Sequence, residues 1–168
     1  MLVSRRTVIL GNMITLDGLD GHLVELLASE PRVGVLEASR RLRVARGTVQ
    51  ARLDRLVEHG VISTFAPTID PAAIGYPVTA FANLEIRQGA RARVTEHLGA
   101  IPEVLEVHTV AGQGDLLCRL VARGNDDLQR VIDLLVADDD VLRTSTVVVL
   151  ACVLERRTLP LVRAAVRS

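Results

Sequence analysis

The chain reads as an α+β protein in two parts. A winged helix-turn-helix takes residues 16–69, and a linker at 70–77 leads to a ferredoxin-like βαββαβ sandwich over 78–155. Residues 1–15 form an N-terminal arm and 156–168 a C-terminal segment. Three observations predict this order. Between residues 35 and 62, two short helical patterns precede an extended run. Across the second of them the charge is lopsided: Arg40, Arg41, Arg43, Arg46, Arg52 and Arg55 stand against one acid, Asp54. From Val78 the apolar period changes to two, and strand–helix–strand then occurs twice.

Composition narrows the function classes. A chain of 168 residues with 49% hydrophobic and 24% charged content can bury a core and is not a disordered segment. Its formal net charge is zero, so the basic window is local and the acids lie elsewhere, as at Asp138, Asp139 and Asp140. That pattern suits a regulated DNA binder better than a nonspecific coat protein. All the basic residues other than histidine are arginine, a bias of composition. The only aromatics, Phe65, Tyr76 and Phe81, are too few for a base-stacking platform on single strands. Cys118 and Cys152 sit in apolar strand-like runs and read as buried free thiols. No Cys/His spacing suits zinc, and neither metal nor cofactor is called for. There is no leader-like apolar stretch and no run of membrane-spanning length, so the expected location is the cytoplasm.

In the first part, Thr7 to Leu10 is a short strand or a flexible arm. Leu16 and Asp17 open a helix with Leu19, Leu23, Leu26 and Leu27 on one face; Gly18 and Gly21 weaken it and Pro31 ends it. Gly34 caps a second helix that runs to about Leu42. The third keeps Val49, Leu53 and Leu56 on its buried face and closes at Gly60. Residues 62–69 are the wing, interrupted by Pro67. At 100° per residue, with Val49 inward, Gly47, Ala51 and Asp54 point outward, flanked by Thr48, Gln50 and Arg55. Two helices and a wing with basic charge on one side present a helix to the DNA major groove. The expected DNA-binding residues are Arg46, Thr48, Gln50, Ala51, Arg52 and Arg55. Gln50 can pair with adenine, while Arg46 and Arg55 suit phosphates. Arg52 has an alternative role in an internal ion pair, with Glu37 or a neighbour.

The second part alternates Val78, Ala80, Ala82, Leu84 and Ile86 in a first strand, with a helix stripe of Ala90, Val94 and Leu98 behind it. Leu105, Val107 and Thr109 begin a second strand, Gly112-Gln113-Gly114 is a tight turn, and residues 115–122 make a third. Asn125 caps a helix striped by Leu128, Val131, Ile132, Leu135 and Val136. Residues 141–154 form a long fourth strand, apolar on both faces: Thr146, Val148, Leu150 and Cys152 on one, Val147, Val149, Ala151 and Val153 on the other. Two helices cover only one face of a sheet. The second face predicts a dimer with Val147, Val149, Ala151 and Val153 in its interface; the alternative cover is the segment 159–166 of the same chain.

With these motifs in order, the chain resembles the Lrp/AsnC family of leucine-responsive and asparagine-type bacterial and archaeal regulators. The likeness covers almost everything from Leu16 to Leu154. It is carried by Leu16-Asp17 with Asp20, by Thr48-Val49, Arg52, Arg55-Leu56 and Gly60-Val61-Ile62, by Asp70-Pro71 with Gly75, and by Gly112, Gly114-Asp115, Val141, Thr144, Thr146 and Leu150. It implies a one-component transcription regulator that dimerises through its sheets and assembles further. It also implies a small effector, commonly an amino acid, bound between dimers, with Gly112, Gly114 and Asp115 matching the effector region. A glycine turn offers N–H groups to a carboxylate, and Asp115 can accept from an α-amino group; the plainer reading is a hairpin turn capped by Asp115. The chain departs from the family pattern at Arg43, where glycine is usual, at Ala45, where serine is usual, and at Gly114, where an aromatic often stands.

Two alternatives remain at this level. One is an effector-binding oligomer whose DNA-reading half has weakened, as Arg43 and Ala45 suggest. The other is a haem-pathway decarboxylase on the same frame. That enzyme needs His or Arg around a large pocket, whereas His97 and His108 read as surface groups and no nucleophile–base or carboxylate pair stands at useful spacing.

Overall fold

The computed structural model describes residues 14–155 and 157–167, so the expected strand or arm at Thr7 to Leu10 lies outside the described residues. The chain divides into two compact units: one runs to Pro67 and regains the chain from Glu155 onward, and the other is Thr68–Leu154.

The first unit holds α1 (Gly18–Ser29), α2 (Val35–Leu42), α3 (Arg46–Glu58) and α6 (Leu159–Arg167). Two glycines near the start of α1 are offset by a capping box: the Asp20 N–H donates to the Asp17 carboxylate at 2.9 Å and the Asp17 N–H donates to that of Asp20 at 3.1 Å. Leu16, Leu23, Ala38, Val49 and Leu56 form the core. Gly34 stands at the N-cap of α2. Between α2 and α3 the chain reverses at Arg43, whose φ of 56° makes it the only non-glycine with positive φ among the described residues.

Two expectations are corrected here. The wing at 62–69 contains no strand. Pro67 lacks an N–H to give to a ladder, and no strand lies in this unit among the described residues. The segment 159–166 belongs to the first unit: it lies in α6, whose Val162 and Val166 join that unit's core. Gly21 makes room for it, since a Cβ there would stand 2.9 Å from a Val166 methyl carbon.

The second unit is a four-stranded antiparallel sheet in the order β2-β3-β1-β4. Its strands are β1 (Val78–Ile86), β2 (Val104–Thr109), β3 (Leu116–Ala122) and β4 (Val141–Val148), and its helices α4 (Arg91–Gly99) and α5 (Asn125–Leu135). Ala80, Ala82, Leu84, Leu116, Cys118 and Leu120 meet Val94, Leu98, Leu128, Val131 and Leu135 in a dry core. Burial there pushes the Cys118 thiol up to about 11. On the opposite face, Phe81 and Val147 are paired across β1 and β4 and both are exposed.

Three details differ from expectation. β4 stops at Val148 and does not continue to 154, because its partner β1 begins at Val78. The Val149 N–H still reaches the Thr79 carbonyl at 2.9 Å, and beyond it Leu150 and Val153 are 97% and 95% exposed. Cys152 lies in that exposed tail and is not buried. Asn125 is the first residue of α5, not its cap: Gly124 is the N-cap, and Asp127 reaches back to accept from the Arg123 N–H at 2.8 Å. Of the two sensing-domain histidines, His97 Nε2 lies 2.8 Å from the Leu134 carbonyl and His108 Nε2 lies 3.1 Å from Glu106.

A left-handed conformation costs a non-glycine residue about 1 kcal/mol. Arg43→Gly is therefore expected to stabilise the protein by roughly that amount, read as an upward shift of the midpoint in urea denaturation; an unchanged or lowered midpoint would show that Arg43 is not strained.

Candidate DNA interface and effector cleft

The orientation of α3 is set by Asp20, a carboxylate with no solvent exposure. Arg52 donates to it at 3.0 Å and Arg55 at 3.1 Å. Arg52 also pairs with Asp17, and Arg55 donates to the Thr15 carbonyl at 2.9 Å. The Asp20 N–H, and after it the Arg52 guanidinium, hold the Asp17 carboxyl below the usual carboxylate range. The ion pair anticipated for Arg52 is thus real, but its partners are Asp17 and Asp20. Glu37 is engaged by Arg41 at 3.0 Å and Arg40 at 3.7 Å. Arg52 and Arg55 tie α3 to the start of α1.

With that face engaged, Arg46, Gly47, Thr48, Gln50, Ala51 and Asp54 are exposed. Gln50 Nε2 donates to Asp54 Oδ1 at 2.8 Å. Ala45 at the N-cap supplies no side-chain bond; its carbonyl accepts from Thr48 and Val49 at 3.0 and 3.2 Å.

In the second unit, the turn 112–114 folds against β1. Gly112 and Gly114 have φ of 131° and 89°. Asn83 Nδ2 donates to the Gln113 carbonyl, and a Cβ on Gly114 would fall 2.2 Å from Asn83 Oδ1, so a larger residue there meets both the positive φ and the Asn83 side chain. The Asp115 N–H donates to the Leu84 carbonyl at 2.8 Å, and its Oδ2 accepts from the Ile86 N–H at 2.9 Å. Asp115 is therefore a tie between β1 and β3 as well as a wall of the cleft. That cleft encloses about 680 Å³ between the turn and residues Asn83, Glu85, Ile86, Leu142, Arg143 and Ser145. Glu85 and Arg143 face each other at 4.0 Å. The strand residues of this wall were missed from sequence. The available signal was polar residues at alternate positions of apolar strands: Asn83 and Glu85 in β1, Arg143 and Ser145 in β4.

Two family models match the chain: a winged helix-turn-helix DNA-binding domain at residues 16–63 and an Lrp/AsnC ligand binding domain at 79–159. The chain belongs to the Lrp/AsnC family. Among its relatives, the HTH-type transcriptional regulator FL11 of Pyrococcus furiosus is 30% identical, over 86% of this chain and 96% of that protein. The regulator AldR of Mycolicibacterium smegmatis is 32% identical, over 78% and 79%. The structure of E. coli AsnC shares the fold with a TM-score of 0.79 at 23% identity, over 88% of this chain and all of that one. A transcriptional regulator of Neisseria meningitidis, solved as an L-Met complex, gives 0.77 at 25% identity, over 88% and 97%. This Lrp/AsnC chain is accordingly a DNA-binding transcriptional regulator with a domain for a small effector, and not an enzyme. No described helix is long and apolar enough to cross a membrane.

The cleft's geometry makes a specific demand. Gly114→Ala is expected to destabilise the protein by at least about 1 kcal/mol, from positive φ and the collision with Asn83. Adding Asn83→Ser should restore part of that loss, while the same addition to Gly112→Ala should restore none. Equal behaviour of the two glycine variants in urea denaturation would contradict the contact.

Proposed function

We propose that this regulator reads a specific DNA sequence with the exposed face of α3, senses an amino acid in the turn cleft, and acts as a dimer or higher oligomer in the cytoplasm. The observation that carries the DNA reading is the division of α3. Arg52 and Arg55 are engaged with Asp20, while Thr48, Gln50 and Ala51 stand exposed. Gln50 reads a base, exchanging its bond to Asp54 for one to adenine. Small Ala51 lets the helix approach closely, and Thr48 and Arg46 hold phosphates. Arg52 and Arg55 serve chiefly to position the helix, their remaining N–H groups facing the backbone of the duplex.

The effector site uses the N–H groups of the turn at Gly112 and Gly114 with the carboxylate of Asp115. Support comes from the family model over this domain and from the neighbour solved with L-Met. Dimerisation through the open sheet face is supported by exposed Phe81 and Val147, with Val149, Ala151 and Val153 extending the surface past β4. A weakened DNA half is the second reading, and the strained Arg43 and uncapped Ala45 are what favour it.

Fluorescence anisotropy on the protein's own upstream DNA against a scrambled duplex, at two salt concentrations, separates these readings. Tighter binding to the native duplex that survives the higher salt is expected. Gln50→Ala should lower discrimination by about 1–3 kcal/mol, and Arg46→Ala should weaken all duplexes and flatten the salt slope by about one. Equal, salt-sensitive binding to both duplexes would leave only the second reading. Sedimentation of the same sample should give a mass above one chain; a monomer contradicts the sheet-face pairing.

A further inference from the structure

Building on the amino-acid reading of the turn cleft, we propose that its effector is a basic amino acid, arginine or lysine. The charges that this chain contributes to the lining carry the argument. Two carboxylates, Glu85 and Asp115, face one guanidinium, Arg143. A basic amino acid brings the complement: two cations and one carboxylate. An aliphatic amino acid brings one of each and leaves a carboxylate of the cleft unmatched. An acidic one adds a second anion to a site that already has an excess of them.

The geometry assigns the parts. Asp115 is held in place by the Ile86 N–H at 2.9 Å, so its carboxylate is fixed beside the turn and suits the α-ammonium, while the turn N–H groups and Arg143 meet the α-carboxylate. Glu85 then receives the side-chain cation. Its present partner is Arg143 at 4.0 Å, with the two side chains 49% and 77% exposed, a loose pair that a ligand can open. The lining offers little to an aliphatic side chain: Ile86, and Leu142, which is 60% exposed.

The test is calorimetric titration of the full-length protein with L-arginine, L-lysine, L-leucine, L-methionine, L-glutamate and cadaverine. Arginine or lysine is expected to bind at least tenfold tighter than leucine, methionine or glutamate. Glu85→Gln should lower that affinity at least fivefold without weakening leucine. Arg143→Gln should weaken lysine and not cadaverine. Leucine, methionine or glutamate binding tightest, or no effect of Glu85→Gln, overturns the charge assignment while the amino-acid site stands. Cadaverine binding as tightly as lysine overturns the role of Arg143. Binding by none of the amino acids overturns both the assignment and the site.

Discussion

A carboxylate sealed from water is costly to keep charged unless it is paired and hydrogen-bonded. Asp20 is such a group, and the first unit is arranged around satisfying it. It closes the capping box that starts α1 despite Gly18 and Gly21, and it draws Arg52 and Arg55 from α3 to the same point. One helix start and one helix face are thereby held by a single residue. The apolar contacts of Val49 and Leu56 place α3 against the core; the ion pairs set its rotation. What remains outward is a strip of small and amide-bearing residues, suited to a close approach to base edges.

The second unit is governed by a simpler constraint: two helices cover one face of a four-stranded sheet. The covered face is dry and made of alanine, leucine and cysteine, while the other mixes Phe81 and Val147 with polar residues. The same alternation that buries Ala82 and Leu84 turns Asn83 and Glu85 the other way, where the glycine turn closes over them. The cleft is thus a product of strand period and turn geometry together.

Much of this was legible in the residues. The stripe of Val49 and Leu56, the cap at Gly34, the alternation of β1 and the tight turn all follow from local pattern, and local pattern is what periodicity reports. Partners distant in sequence were not legible. The acids that hold Arg52 and Arg55 lie more than thirty residues away, so the guanidiniums read as DNA contacts or as partners of a nearby glutamate. β4 looked long because its composition stays apolar, but strand length depends on the neighbour, and β1 begins at Val78. Cys152 looked buried for the same reason. The helix α6 showed only as apolar residues; its packing on Gly21 requires the three-dimensional approach. The wall of the cleft was hidden because it joins β1 and β4 to a turn from elsewhere in the chain.

The face that α3 turns outward depends on the coupling between Asp20 and the arginines of α3. A double-mutant cycle with Asp20→Ala and Arg52→Ala, read by urea denaturation, measures it directly. The expected coupling is about 1–3 kcal/mol, with the double variant much less destabilised than the sum of the single ones. Additive losses would mean that the ion pair does not hold α3, and that another interaction sets the face this regulator turns to DNA.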